Sequence, residues 1–172
     1  MVKEIYFVSG VHGVGKGTLC RKLNRELGLP VFSCSDLIKQ NSEYVENSKV
    51  VATAERNQEA LLQGLKCIKD DRFLLDGHFC LLGPENTIIE LENSVFDMIS
   101  PIAVINVTCD VSIVRERLLQ RDGKAVESEL LEAIQRKEVI RAEWYCENRN
   151  IELIKYESAD PIEPLIDYLK RN

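Results

Sequence analysis

The chain has no apolar run approaching the roughly 18 to 20 residues that a membrane-crossing helix needs. Its first residues, Met1-Val2-Lys3-Glu4, lead straight into a short apolar segment without the architecture of a secretory leader. A cytoplasmic protein with no membrane partner is therefore expected. Cysteine pairing signals are also missing. The six cysteines (Cys20, Cys34, Cys67, Cys80, Cys109, Cys146) are scattered with no C-x-x-C pair, which favours reduced, mostly buried thiols over disulfides or zinc. Only His12 and His78 could serve as histidine bases, so a cysteine nucleophile has few partners. Positive charge is not in excess: 22 Lys and Arg against 28 Asp and Glu leave a net charge of −6. That balance argues against a phosphate-backbone-binding surface over the whole molecule and against nucleic acid as a direct ligand. No repeat, low-complexity tract or linker divides the 172 residues, a length of about one domain. With 45% hydrophobic and 29% charged residues, the composition is that of a folded globular protein rather than a disordered one.

What is present is a regular alternation. Five short apolar runs rich in strand formers, Ile5–Val8, Val31–Ser33, Arg72–His78, Ile102–Val107 and Ile151–Tyr156, predict strands. Between them lie helical patterns. Leu19, Leu23 and Leu27 recur at helical spacing until Gly28 and Pro30, and Ser35-Asp36 offers a cap for a helix from about Leu37. Further helices are predicted at about Ala52–Lys69, Val111–Gln120 (capped by Asp110), Glu129–Asn148 and Pro161–Arg171, with a polar break at Arg121-Asp122-Gly123-Lys124. Strands alternating with helices predict an α/β fold in three layers, a five-stranded parallel sheet with helices on both faces.

The most informative segment is Gly10-Val11-His12-Gly13-Val14-Gly15-Lys16-Gly17-Thr18, between the first strand and the first helix. Glycines there let successive backbone N–H groups converge on phosphate oxygens, and the helix adds its positive N-terminal end. Lys16 supplies a charge for the terminal phosphates. Gly10, His12, Gly13, Val14, Gly15, Lys16, Gly17 and Thr18 are thus candidate ATP-phosphate ligands. The general pattern G-x-x-x-x-G-K-[ST] wants a hydroxyl after the lysine, whereas this chain has Gly17 there and Thr18 next. A dinucleotide fingerprint fits the spacing and the lysine less well.

This G-x-x-G-x-G-K-G-T form resembles the phosphate loop of the P-loop NTPases known as adenylate and nucleoside monophosphate kinases, with His12 where the family commonly has proline. Other segments fall in the family's order. Ser35-Asp36-Leu37-Ile38-Lys39 resembles the start of the monophosphate-binding region. Leu75-Asp76-Gly77-His78 is similar to the D-x-H ending of the short-lid archaeal-type and nuclear adenylate kinases, and Arg117-Leu118-Leu119-Gln120-Arg121 to the string entering the lid. The resemblance implies a single kinase domain over 1–172, an acceptor-binding region at about 35–70, a short lid at about 117–128, ATP as donor and Mg²⁺ as cofactor. It also implies catalytic roles for Lys16, Arg117, Arg121 and Asp76, the last orienting the metal through water, and acceptor contacts from Ser35, Asp36, Arg56, His78 and Arg136; Arg136 takes the place of the family's second lid-facing arginine, with Arg141 a weaker candidate for that place. The expected function is transfer of the ATP γ-phosphoryl group to a nucleoside monophosphate. Two alternatives stay open: an ATPase switch acting on a protein or ribonucleoprotein partner, and a small-alcohol kinase in which Asp36 accepts the hydroxyl proton. The acceptor itself is not named by the residues from Asn41 to Gln63, which depart from the family pattern.

Overall fold

The computed structural model describes residues 2–46 and 53–172, with side chains at 2–42 and 55–172. The five predicted strands form one parallel sheet. They are β1 (Glu4–Ser9), β2 (Val31–Ser33), β3 (Arg72–Gly77), β6 (Ala103–Thr108) and β7 (Glu152–Glu157), in the order β2-β3-β1-β6-β7. Ile5 to Ser9 and Ala103 to Val107 are buried residue after residue, as strands covered on both faces must be. The helices are α1 (Lys16–Leu27), α2 (Cys34–Glu46), α3 (Thr53–Cys67), α4 (Asn93–Ile99), α5 (Val111–Asp122), α6 (Ser128–Arg149) and α7 (Glu163–Arg171). Each buries an apolar stripe such as Leu19, Cys20 and Leu23 of α1. The chain leaves β1 toward β2 and crosses back from β3 to β6, so the sheet's switch point lies at the carboxyl ends of β1 and β3, where open parallel sheets bind ligands.

Two sequence expectations shift. Helix α2 starts at Cys34, with Ser33 rather than Ser35-Asp36 at its threshold. Helix α5 runs through the expected polar break to Asp122 and is closed by Gly123 at φ 66, a left-handed terminus that glycine adopts freely. Ala52, expected to open the following helix, lies outside the described residues. Residues 79–101, which carried no prediction, fold into a two-stranded antiparallel hairpin, β4 (Cys80–Leu82) and β5 (Ile88–Glu90), followed by α4. Its three-residue strands are too short to show periodicity; what holds the segment is distant in sequence. Phe79 and Phe96 pack with Phe7 of β1 and Tyr145 of α6, ring centroids 4.2 to 5.8 Å apart.

Candidate active site

The phosphate loop leaves β1 at the switch point. Gly10 takes φ 151, and a Cβ there would lie 2.6 Å from the Val107 carbonyl oxygen of β6; only glycine lets the loop start this close to the sheet. Gly15, at φ 100, turns the chain into α1, whose first amides have no partner within the helix. Those amides face a cleft of about 530 Å³ that His12, Lys16, Thr18, Asp76, Arg117 and Arg121 help to line.

Lys16 is the centre of this arrangement. Its side chain is 6% exposed, Nζ donates to the Gly10 and Val11 carbonyls at 2.7 and 3.2 Å, and it lies 3.8 Å from Asp76 Oδ1. Burial lowers the Lys16 pKa while Asp76 pulls it up. Burial likewise raises the Asp76 pKa, opposed by Lys16 and reinforced by Asp36; the mutual attraction sustains the charges that burial disfavours. Arg117, one turn before Arg121 on α5, donates from Nη1 to the Gly13 carbonyl at 3.0 Å and so touches the loop directly. Arg121 reaches the same cleft but holds Asp122 through two bonds of 2.8 Å. The Thr18 hydroxyl accepts from Arg21 at 3.1 Å.

The two histidines meet across the loop, ring centroids 4.3 Å apart. His78 Nδ1 is 2.7 Å from the Gly10 carbonyl oxygen; a carbonyl only accepts, so Nδ1 carries the proton. Burial, Lys16 and His12 push the His78 pKa down to about 3, which keeps the ring neutral. Desolvation against its neighbours, together with Lys16 and Arg121, also lowers the His12 pKa.

The expected acceptor residues are less gathered. Ser35 and Asp36 sit exposed at the start of α2, the Ser35 hydroxyl 2.8 Å from that of Ser33, and Asp36 is near enough for its charge to raise the Asp76 pKa. Arg56 of α3 has a buried Nε without a hydrogen-bond partner among the described residues. Arg136 is exposed on α6 and does not line the cleft. Arg141 is occupied elsewhere, donating to Leu91 O at 2.6 Å and Asn93 Oδ1 at 2.9 Å and facing Glu90 at 3.4 Å. Asp110 caps α5 as expected, accepting from Ser112 N at 2.8 Å. Burial pushes the Cys34 and Cys80 thiols up to about 12, which removes them as nucleophiles at neutral pH.

Sequence reasoning missed several supports of the loop. The Ser158 hydroxyl, after β7, donates to the Val14 carbonyl. Gln135 of α6 pairs with Cys109 through both backbone groups, at 3.1 and 2.9 Å. Glu138, 1% exposed, accepts from the Phe79 and Cys80 amides at 2.6 to 3.0 Å. A signal for Glu138 existed. It falls on the stripe formed by Leu131, Ile134, Ala142 and Tyr145, and a carboxylate on an apolar helix face is seldom buried without partners.

A strand-loop-helix phosphate cradle at the switch point of a parallel sheet defines a domain of the P-loop NTPase fold. The AAA domain family matches residues 9–135, and the chain belongs to that family. Among curated relatives, the "Putative adenylate kinase" of Methanocaldococcus jannaschii is 27% identical over 130 residues, 74% of this chain and 63% of that protein. The cytidylate kinase of Ignicoccus hospitalis is 29% identical over 137 residues, 78% of this chain and 74% of that one. The matched segment is thus less than two thirds of the first relative's length. In the gluconokinase structure from Sinorhizobium meliloti 1021 the same fold recurs with a TM-score of 0.52 over 96% of this chain and 87% of that one, at 14% identity.

Proposed function

We propose that the protein is an ATP-dependent small-molecule kinase that transfers the γ-phosphoryl group of ATP to a nucleoside monophosphate in the cytoplasm. The observation that carries this reading is Lys16, buried at the centre of the loop between two backbone carbonyls and Asp76, with Arg117 fastened to the same loop. Two curated relatives bear the names of nucleoside monophosphate kinases.

In this reading the loop amides and Lys16 bind the donor phosphates, and Arg117 and Arg121 place positive charge where it spreads over the equatorial oxygens in the transition state. An acceptor phosphate is already ionised at neutral pH, so it needs orientation rather than a base. Ser35, Asp36 and Arg56, within an acceptor arm at about 35–70, would line its approach. The lid is assigned to about 117–128, of which α5 already orders the first part; closing it would exclude water. Asp76 suits a metal held mainly by phosphates and water, since it ends a strand at the cleft, part-exposed, with no cluster of metal ligands among the described residues. Mg²⁺ bound there would neutralise phosphate charge.

A second reading is a small-alcohol kinase in which Asp36, exposed on the first turn of α2, takes the hydroxyl proton. Both are tested by following ADP production from Mg-ATP alone and with each nucleoside monophosphate, using Lys16→Ala as the blank. Strong stimulation by one monophosphate, with its diphosphate appearing, supports the proposal. Turnover independent of all of them overturns it.

A further inference from the structure

Helix α6 is fastened to both strand tips that flank the phosphate loop. Gln135 and Glu138, three residues apart and hence on one side of the helix, hold the backbone just beyond β6 and β3 respectively. At the β3 tip the Glu138 carboxylate takes the amides of Phe79 and Cys80 with both oxygens. The residue immediately before them is His78, whose Nδ1–H donates to Gly10 O, and that oxygen also accepts from Lys16 Nζ. A carbonyl oxygen has two lone pairs, and here His78 and Lys16 use one each. A continuous set of bonds therefore runs from the middle of α6 through the strand tip to the lysine that meets the donor phosphates.

We propose that Glu138 is a positioning residue for phosphoryl transfer: by clamping the Phe79 and Cys80 amides it holds His78 against Gly10 and thereby sets the loop in which Lys16 works. The inference rests on the phosphotransfer reading of that loop. When ionised, the Glu138 carboxyl offers acceptors only, so both amides are satisfied without a competing donor. Glutamine keeps the shape but turns one of the two oxygens into a donor facing the amides. Burial raises the Glu138 pKa to about 7, opposed by the amides of Phe79 and Cys80, by the charge of Lys16 and by the Gly10 amide, in keeping with a group held for its hydrogen bonds rather than for solvation.

The test combines a spectroscopic signature with a double-mutant cycle. In the native chain, ¹⁵N NMR of the His78 ring is expected to show the Nδ1-protonated tautomer. Glu138→Gln is expected to lower the kcat of ADP formation about tenfold while leaving KM for ATP within about threefold. His78→Asn should lower it comparably, and the double variant should be no slower than His78→Asn alone, because both changes break one connection. An Nε2-protonated His78 in the native chain, losses that simply add, or an unchanged kcat in folded Glu138→Gln each overturn the proposal. Should Glu138→Gln not fold, the native tautomer decides. Lys16→Ala separates the two failures. If it leaves ADP formation at the native rate, the phosphate-loop reading falls. If it abolishes ADP formation while the Glu138 and His78 losses add, the loop reading stands and the positioning role falls.

Discussion

On the donor side of Lys16, carbonyls, amides and side chains are tied to one another: Arg117 to Gly13, Ser158 to Val14, His78 to Gly10 and Glu138 to the β3 tip. On the side proposed for the acceptor, Ser35 and Asp36 lie exposed on the first turn of α2, with the neighbouring Ser33 hydroxyl as their main tie. The difference teaches where each kind of binding energy is set. A triphosphate is recognised by many fixed dipoles that cost no reorganisation when it arrives. In the proposed reading, an acceptor would be selected by a few exposed side chains that close on it when it binds.

The comparison breaks most visibly at Lys16. Lys16→Ala should reduce transfer by about a thousandfold or more, the scale on which removing a principal transition-state charge acts, with circular dichroism showing the sheet retained. Turnover near the native level in a folded variant would place the donor phosphates elsewhere. Arg117→Ala should cost about 10- to 100-fold in kcat. If Arg136→Ala, on the exposed side of α6, costs as much, the cleft's cationic wall has been drawn in the wrong place.

The donor side should also carry a distinctive acid sensitivity. His78 has a folded pKa pushed down to about 3 from an ordinary 6.5, so between those values the unfolded chain binds a proton that the folded one refuses. Stability is complete above 6.5 and falls as pH drops toward 3, by up to about 2 kcal/mol at pH 5. Glu138 works in the opposite sense, its folded pKa of about 7 standing above an ordinary 4.5. Its contribution is full below 4.5 and is lost as pH rises to 7. Melting temperatures measured from pH 4.5 to 7.5 should therefore show a smaller acid loss in His78→Asn than in the native chain; parallel curves would mean that His78 titrates normally.

The smallest expected effect is on the acceptor side. For a monophosphate acceptor, Asp36→Asn should change kcat by no more than a few-fold, because no hydroxyl proton has to be taken. A loss of about 100-fold or more, measured with the acceptor that the ADP panel identifies, would transfer the reading to an alcohol substrate.

Much of the donor side was legible in the chain, because its signals are local. Glycine spacing, the lysine and an apolar run ending in Asp76-Gly77-His78 are contiguous, and the strand and helix they join follow from short-range periodicity. The hairpin at 80–90 was not legible. Its strands pair over three residues each, and its anchors are Phe7, Glu138 and Tyr145, far away in sequence. In the segment proposed as the lid, Arg121-Asp122-Gly123-Lys124 reads as a break, yet the helix continues until Gly123 can turn left-handed. Residues 47–52, inside the stretch that departs from the family pattern, lie outside the described structure.

The sequence alone determined the α/β alternation, the place of the phosphate loop and the identity of its lysine, because hydrophobic period, glycine tolerance and charge are properties of neighbouring residues. Tertiary structure decided which side chains serve that loop. It committed His78 to Gly10 and Arg141 to the β5–α4 connection, left Arg136 outside the cleft and buried Glu138 behind the strand tip. A hydrogen bond is a relation between two groups within about 3 Å of each other, and for residues separated by 59 or 68 positions only the packing of the sheet and its helices creates that distance.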